Sequence, residues 1–445
     1  MKRKIIYAAG LVLAMSATSC KKYLDVVPVG KVIPKTVEDY NRELNACYAQ
    51  GDFDKSLTTY RTDEVKLDES RSGDVDRVVN HFRWDENGSN TNTLTFDWQH
   101  KYLSVFYANH VIAEGPTATE GSEAQRNQLV GEAYLLRAYL YFNLVNLYGN
   151  TYNPATMAAD KAVPLITKVD MEQVARRNTV KEIYDQIFAD LEKGRSLVNV
   201  NAFETASSYK FGKIAADALA ARIYLYTRQW DKALAAANAA LEKKGTLTDL
   251  NNSSVLPTQY DSPESILAYE MIYSTNSIRP IFVSPAFLAM YDQQGDLRAK
   301  LFYGKDAKGN ATLVKVRENN KFRQSFRVAE MYLIAAEAAA QLQQVDAART
   351  TLNTLKKKRL TPAFYATEEA RVALLSGNAL LTEIYNERAR ELSFEGHRWF
   401  DLRRTTQPAI THMVKGQSYT LNAGDPRYTI RIPKAAIENN PLLNE

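Results

Sequence analysis

The chain has 445 residues, 45% of them hydrophobic and 24% charged, with a formal net charge of +5. Those are the proportions of an ordinary folded protein, and the small charge excess gives no electrostatic case for a nucleic-acid partner. Two cysteines and five scattered histidines (His81, His100, His110, His397, His412) supply neither a disulfide framework nor a metal-ligand spacing, so no metal or other cofactor is expected.

The N-terminus carries the first signal. Lys2, Arg3 and Lys4 precede a short apolar run from Ile5 to Met15, then Ser16-Ala17-Thr18-Ser19-Cys20. The run cannot span a bilayer core, which needs about 20 apolar residues. It reads as a signal peptide over 1–19, with Cys20 acylated and left as the new N-terminus. Two or more acyl chains, at about 0.8 kcal/mol per buried methylene, make a lasting anchor. A plain secreted protein with a chance cysteine is the alternative. Cleavage takes the net charge from +5 to +2. Cys47 is then alone, within the helical pattern Val37, Tyr40, Leu44, Cys47, Tyr48, and is expected as a small buried apolar residue.

After a tether carrying Pro28, Gly30 and Pro34, helical periodicity begins near Thr36. Amphipathic stretches follow at 98–114, 122–148, 179–197, 211–227, 231–243, 326–342, 346–358 and 380–404. Ser122, Thr179 (with Glu182 three residues on), Asp231 and Asp346 are start signals. Two helix pairs repeat. Ala220, Ala221 and Tyr224 precede Trp230, Ala233 and Ala240, and Ala335, Ala336 and Ala339 precede Val345, Ala348 and Leu355 at the same spacings. This is the tetratricopeptide pattern, in which alanine at crossing points lets helix axes approach and each pair needs a neighbour to cover it. The stretches 132–148 and 179–197 read as a third, poorer copy.

The fold expected is mainly α: stacked tetratricopeptide-like pairs in one body over 20–445. Its scaffold lies at about 35–50, 98–245 and 326–404, and 405–445 closes the chain. Two polar, turn-rich excursions, about 51–97 and 251–316, interrupt the helices, the second with short β-like runs such as 266–272. Long irregular loops on a rigid scaffold are where binding groups concentrate. The ligand-contact candidates are Tyr60, Arg71, Arg77, His81 and Trp84 in the first excursion, and Tyr273, Asn276 and Arg279 in the second. Aromatic faces flanked by hydrogen-bonding groups suit a sugar or a peptide. Trp98, Tyr102, Phe106 and Tyr107 fall on a helix stripe and are expected in the core. Asp74 and Asp76 alone do not make a calcium loop.

Enzyme motifs are absent: no phosphate-binding loop, dinucleotide fingerprint, Gly-x-Ser-x-Gly elbow or His-Glu-x-x-His. The dense charge cluster at 386–404 places Glu387, Glu391 and Glu395 at intervals of four, among Arg388, Arg390, Arg398, Arg403 and Arg404. An i,i+3 and i,i+4 ion network is the expectation. A surface glycosidase using Glu391 or Glu395 is the rival reading, and a purely structural partner of a membrane barrel is a third. Lys356-Lys357-Lys358-Arg359 reads as a solvated helix end.

Taken in order, the motifs resemble those of the RagB/SusD lipoproteins of Bacteroidetes. They are Cys20-Lys21-Lys22-Tyr23-Leu24-Asp25 with Pro28, Trp98-Gln99-His100-Lys101-Tyr102 leading to Ala108-Asn109, Glu132-Ala133-Tyr134-Leu135-Leu136-Arg137-Ala138 leading to Leu147-Tyr148-Gly149, Val163-Pro164-Leu165, Asp296-Leu297-Arg298, Glu391 to Arg404, Ile430-Arg431-Ile432-Pro433 and Asn440-Pro441. The resemblance implies a non-enzymatic nutrient-binding lipoprotein of the outer membrane. It would act as the hinged lid of a SusC-like TonB-dependent transporter and take an oligosaccharide or, alternatively, a peptide. Lys21-Lys22 departs from the acidic export signal common in the family, so outward exposure rests on the resemblance alone.

Overall fold

The computed structural model describes residues 33–49, 54–86, 90–170, 172–253, 255–273, 275–316 and 321–444. Cys20, the signal peptide and most of the tether lie outside the described residues. The scaffold helices are α1 (Val37–Ala49), α2 (Gln99–Glu114), α3 (Glu123–Tyr148), α4 (Val180–Leu197), α5 (Lys213–Tyr226), α6 (Trp230–Lys243), α7 (Val328–Gln341), α8 (Val345–Lys356), α9 (Pro362–Val372), α10 (Gly377–Glu391) and α11 (Arg398–Arg404). Each of α1 to α8 packs on the next in chain order, and α10 covers α7. The mainly helical, tetratricopeptide-like stack read from the sequence is the fold observed. No helix among the described residues is long and apolar enough to cross a membrane.

Local chemistry sets the helix starts. Ser122 accepts from the Gln125 backbone N–H while the Gln125 side chain returns to Ser122, and Thr179 and Glu182 form the same reciprocal box. Asp231 and Asp346 are not caps: α6 and α8 begin one residue earlier, and each Asp sits in the first turn, where it favours the helix dipole. The alanine seams are buried as expected, with Ala220, Ala221, Ala233, Ala240, Ala336 and Ala348 all shielded from solvent. At the α3–α4 crossing glycine does the same job. A Cβ on Gly194 would lie 2.6 Å from Leu135 Cγ, and one on Gly131 would lie 2.9 Å from Val198 Cγ1.

The stretch predicted as one helix over 380–404 is two. Phe394 (φ 56°) and Gly396 (φ 73°) take left-handed backbone conformations that end α10 and re-aim α11. The helix α9 and the hairpin Ile410–Val414/Gln417–Leu421 were not expected from the sequence. Lys415 (φ 49°) and Gly416 (φ 78°) close that hairpin in a two-residue turn. Its His412 ring stacks on Phe82 and Trp84 at 3.8 and 4.4 Å, and its nitrogens bond to the Phe82 and Thr62 carbonyls.

Cys47 is enclosed, and burial pushes its thiol up to about 12, so it is inert at neutral pH. Glu132 is also buried on α3, bonded to Tyr48 Oη and Gln128 Nε2, and burial pushes its carboxyl from 4.5 up to about 7. The folded state therefore holds this proton more tightly than the unfolded chain. The stability Glu132 contributes is complete below about pH 4.5 and is lost as pH rises through about 7. Glu132→Gln is expected to leave stability near parent at pH 5 and raise it by up to about 3 kcal/mol at pH 8. Urea midpoints at the two pH values check this; an equal effect at both would exclude the linkage.

Candidate functional site

The two excursions meet. Val65–Leu67 pairs antiparallel with Ile281–Val283, in the register Val65↔Val283. The Asp68 N–H donates to Pro280 O at 2.8 Å, and the Ser284 N–H to Glu64 O at 2.8 Å. Rings lock the seam from beneath. Tyr60 Oη donates to Ser277 O at 2.5 Å, Tyr273 Oη to Thr59 Oγ1 at 2.7 Å, and Trp84 Nε1 to Arg61 O at 3.1 Å.

This corrects half of the expected contact set. Tyr60, His81, Trp84 and Tyr273 are all buried, so none offers a face to a ligand in this structure. Each ring's polar atom finds a partner inside the protein, which makes ring burial the stable arrangement. His81 is bonded to Leu94 O, and burial pushes its imidazole down to about 4, leaving it neutral at physiological pH.

The other four, Arg71, Arg77, Asn276 and Arg279, are exposed on the seam. Arg71 pairs with Asp68 at 3.1 Å, and Arg279 crosses the seam to Asp74 at 3.2 Å. Exposed pairs of this kind contribute roughly 0–1 kcal/mol, so they can open for a ligand. Asp76 accepts from the Asn90 and Asn92 amides at 2.9 and 2.8 Å, which fixes the segment leading away from the seam. The carboxylates of Asp74 and Asp76 are thus engaged by side chains, and no metal-ligating group of three or more acidic, histidine or cysteine residues occurs among the described residues.

That segment ends at a cavity of about 1030 Å³. Trp98 and Tyr102 line it with Phe96, Pro164, Ile166 and Leu443, while Asp97, Gln99, His100 and Asn440 supply polar groups. Trp98 is half-buried, held by Tyr102 and Tyr148 at ring distances of 4.9 and 5.3 Å. Asp97 Oδ1 accepts from both the backbone N–H and the ring of His100, at 3.1 and 3.0 Å. Four residues separate Leu94, bonded to Arg77 O, from Trp98, so cavity and seam lie within about 15 Å of each other along the chain. The sequence reading had put Trp98 and Tyr102 in the core. The missed signal is Asp97-Trp98-Gln99-His100: an indole at a helix start, directly after a turn-rich stretch and flanked by polar residues, lies at the end of the packed stripe.

The acidic cluster is a structural network. Glu391 is fully enclosed and accepts from Arg298, Arg327 and Arg359 at 2.9, 2.6 and 2.9 Å. Burial works to raise its carboxyl, but the guanidiniums of Arg359, Arg327 and Arg298 overcome that and hold it well below the usual carboxylate range. Glu395 is enclosed with Arg327 and Lys315, and Glu387 with Arg298 and Arg390. Neither Glu391 nor Glu395 can reach a glycosidic oxygen or donate a proton to one, which removes the glycosidase reading. The partners differ from expectation, because the arginines on Glu391 come from other elements and not from neighbouring turns of its own helix. Lys356 and Arg359 are buried in the same network, bound to Glu368, Glu383, Glu264 and Glu391, so 356–359 is not a solvated helix end.

Comparison with known families fits this architecture. A model described as SusD-like, "Starch-binding associating with outer membrane", matches residues 22–225, and the SusD family model matches residues 302–444. The chain belongs to the SusD/RagB family. Much of the second excursion falls between the two matches. SusD-like protein P38 of Formosa agariphila is 23% identical over 87% of this chain and 88% of its own. A SusD superfamily structure from Bacteroides thetaiotaomicron superposes with a TM-score of 0.77 at 21% identity, covering 92% of this chain and 99% of that one. A laminarin-binding SusD-like protein does so with a TM-score of 0.62 at 20% identity, covering 83% and 92%.

Proposed function

We propose that this SusD/RagB protein is a non-enzymatic, outward-facing lipoprotein, anchored through Cys20, that binds an oligosaccharide. In this reading it acts as the lid of a SusC-like TonB-dependent transporter and passes the bound sugar to it. The observation carrying the ligand class is the half-exposed Trp98 indole in a cavity of about 1030 Å³, beside Asp97, Gln99, His100 and Asn440. An indole covers the apolar C–H face of a pyranose while polar neighbours fix its hydroxyls. Arg71, Arg77, Asn276 and Arg279 on the adjoining seam supply further hydrogen bonds to a longer chain. The family's starch-binding description and the laminarin-binding neighbour support the same class.

Calorimetric titration against starch and β-glucan oligosaccharides and a peptide panel tests the reading. Saturable heat from a glycan is the expected result. Heat from peptides alone would move the ligand class, and silence from a folded protein would remove the binding claim. Cys20→Ser is expected to release the protein from the membrane fraction, and retention there would remove the lipid anchor.

A further inference from the structure

A second cavity, of about 570 Å³, shares no lining residue with the Trp98 cavity. It lies where the segment after α3, the α5–α6 turn, the end of α11 and the segment after the hairpin converge. Asn150, Thr151, Thr405, Gln407 and Thr429 give it a lining of amides and hydroxyls. Two arginines define its character.

Arg403 is almost wholly buried, yet among the described residues no carboxylate pairs with it. Its Nε donates to Tyr428 O at 3.0 Å, and its Nη2 donates to Gly149 O and to Thr429 Oγ1. Nη1 makes no hydrogen bond, and it is not among the side-chain atoms sealed from solvent without a partner, so it faces the cavity. Buried guanidiniums are ordinarily neutralised, as neighbouring Arg404 is by Glu337 and Asp401. Burial without an acid pushes Arg403 down to about 10.

Arg228 reaches the same cavity from the α5–α6 turn. Its backbone is left-handed (φ 57°), its side chain is exposed, and its one side-chain bond is a 3.5 Å contact to Arg404 O. Two acids face the space. Asp425 is turned to its own Arg427 at 2.6 Å, and Asp160 accepts from the Asn150 amide at 3.0 Å. The cavity therefore holds two guanidiniums without anions inside a hydrogen-bonding lining.

We propose that this cavity is a second ligand site, which takes the anionic group of an acidic saccharide, a carboxylate or a sulfate, between Arg403 and Arg228. Guanidinium forks match both groups with paired N–H donors, and the amide and hydroxyl lining suits the sugar ring that carries them. The site would let a glycan be read at a charged residue distant in sequence from the Trp98 contact. A neutral saccharide gains nothing from it.

The test uses the full folded chain and calorimetric titration in low-chloride buffer. The probes are sodium sulfate, a glucuronate-containing oligosaccharide, a sulfated oligosaccharide and their neutral counterpart. The acidic sugars are expected to bind, with Arg228→Ala weakening them about tenfold or more and Trp98→Ala leaving this term in place. Because Arg403 also clamps backbone carbonyls, Arg403→Lys, which keeps the charge and loses the fork, is its variant; it is expected to weaken binding with the melting temperature held. Preference of one acidic sugar over the other assigns carboxylate or sulfate. Binding of sulfate alone, with no acidic sugar bound, would reduce the site to an adventitious ion only. Equal affinity of parent and Arg228→Ala, or of acidic and neutral sugars, would overturn the proposal. Failure here with neutral glycans still bound through Trp98 leaves the proposed function standing.

Discussion

Glu391→Ala is expected to lower the unfolding free energy by about 4 kcal/mol. The substitution strips one shared carboxylate from Arg298, Arg327 and Arg359, all fully enclosed. Arg298 would keep Asp296 and Glu387, Arg327 would keep Glu395, and Arg359 would keep Glu264. The surviving acids are then outnumbered by cations that cannot reach water. Glu391→Gln preserves the shape and removes only the charge, so it is expected to lose most of the same stability. Urea denaturation at pH 7 reads both. A folded Glu391→Gln protein with parental stability would mean that the network carries little of the fold.

Trp98→Ala carries the largest expected effect on binding. Removal of an aromatic anchor from the centre of a contact costs at least about 1.4 kcal/mol, so the oligosaccharide Kd should rise tenfold or more. The indole also packs on Tyr102 and Tyr148, so part of any loss can come from slackening of the cavity wall. Trp98→Phe separates the two, because it keeps a ring on both neighbours and in the cavity. It is expected to stay within a few-fold of parent. Parental affinity in a folded Trp98→Ala protein would move the ligand elsewhere, with the exposed Arg71, Arg77, Asn276 and Arg279 as the next group to substitute.

The scaffold was readable in the chain because its causes are local. Alanine spacing at 220–240 and 335–348 marks helix crossings, and the Ser122 and Thr179 boxes mark helix starts within a few residues. The charge cluster was readable as a network but not in its wiring. Arg298, Arg327 and Arg359 reach Glu391 across 93, 64 and 32 positions, and nothing in the spacing of 386–404 announces them. The ligand residues were hardest. A tyrosine in a polar loop looks the same whether its hydroxyl meets solvent or, as in Tyr60, a carbonyl 217 positions away. Trp98 was misassigned for the converse reason: periodicity places it on an apolar stripe without showing that the stripe ends at a cavity.

The pairing of Val65–Leu67 with Ile281–Val283 has a bearing on how the protein comes to be made. Lys55 likewise meets Glu270, 215 positions later. A chain growing from its N-terminus presents the earlier strand roughly 10–40 s before its mate leaves the ribosome, at ordinary rates of synthesis. Through that interval the strand edge is open to any other extended chain. The nascent protein thus needs a chaperone to shield its first third, and a cut between residues 67 and 281 would yield two fragments that each lack the other's closing strand.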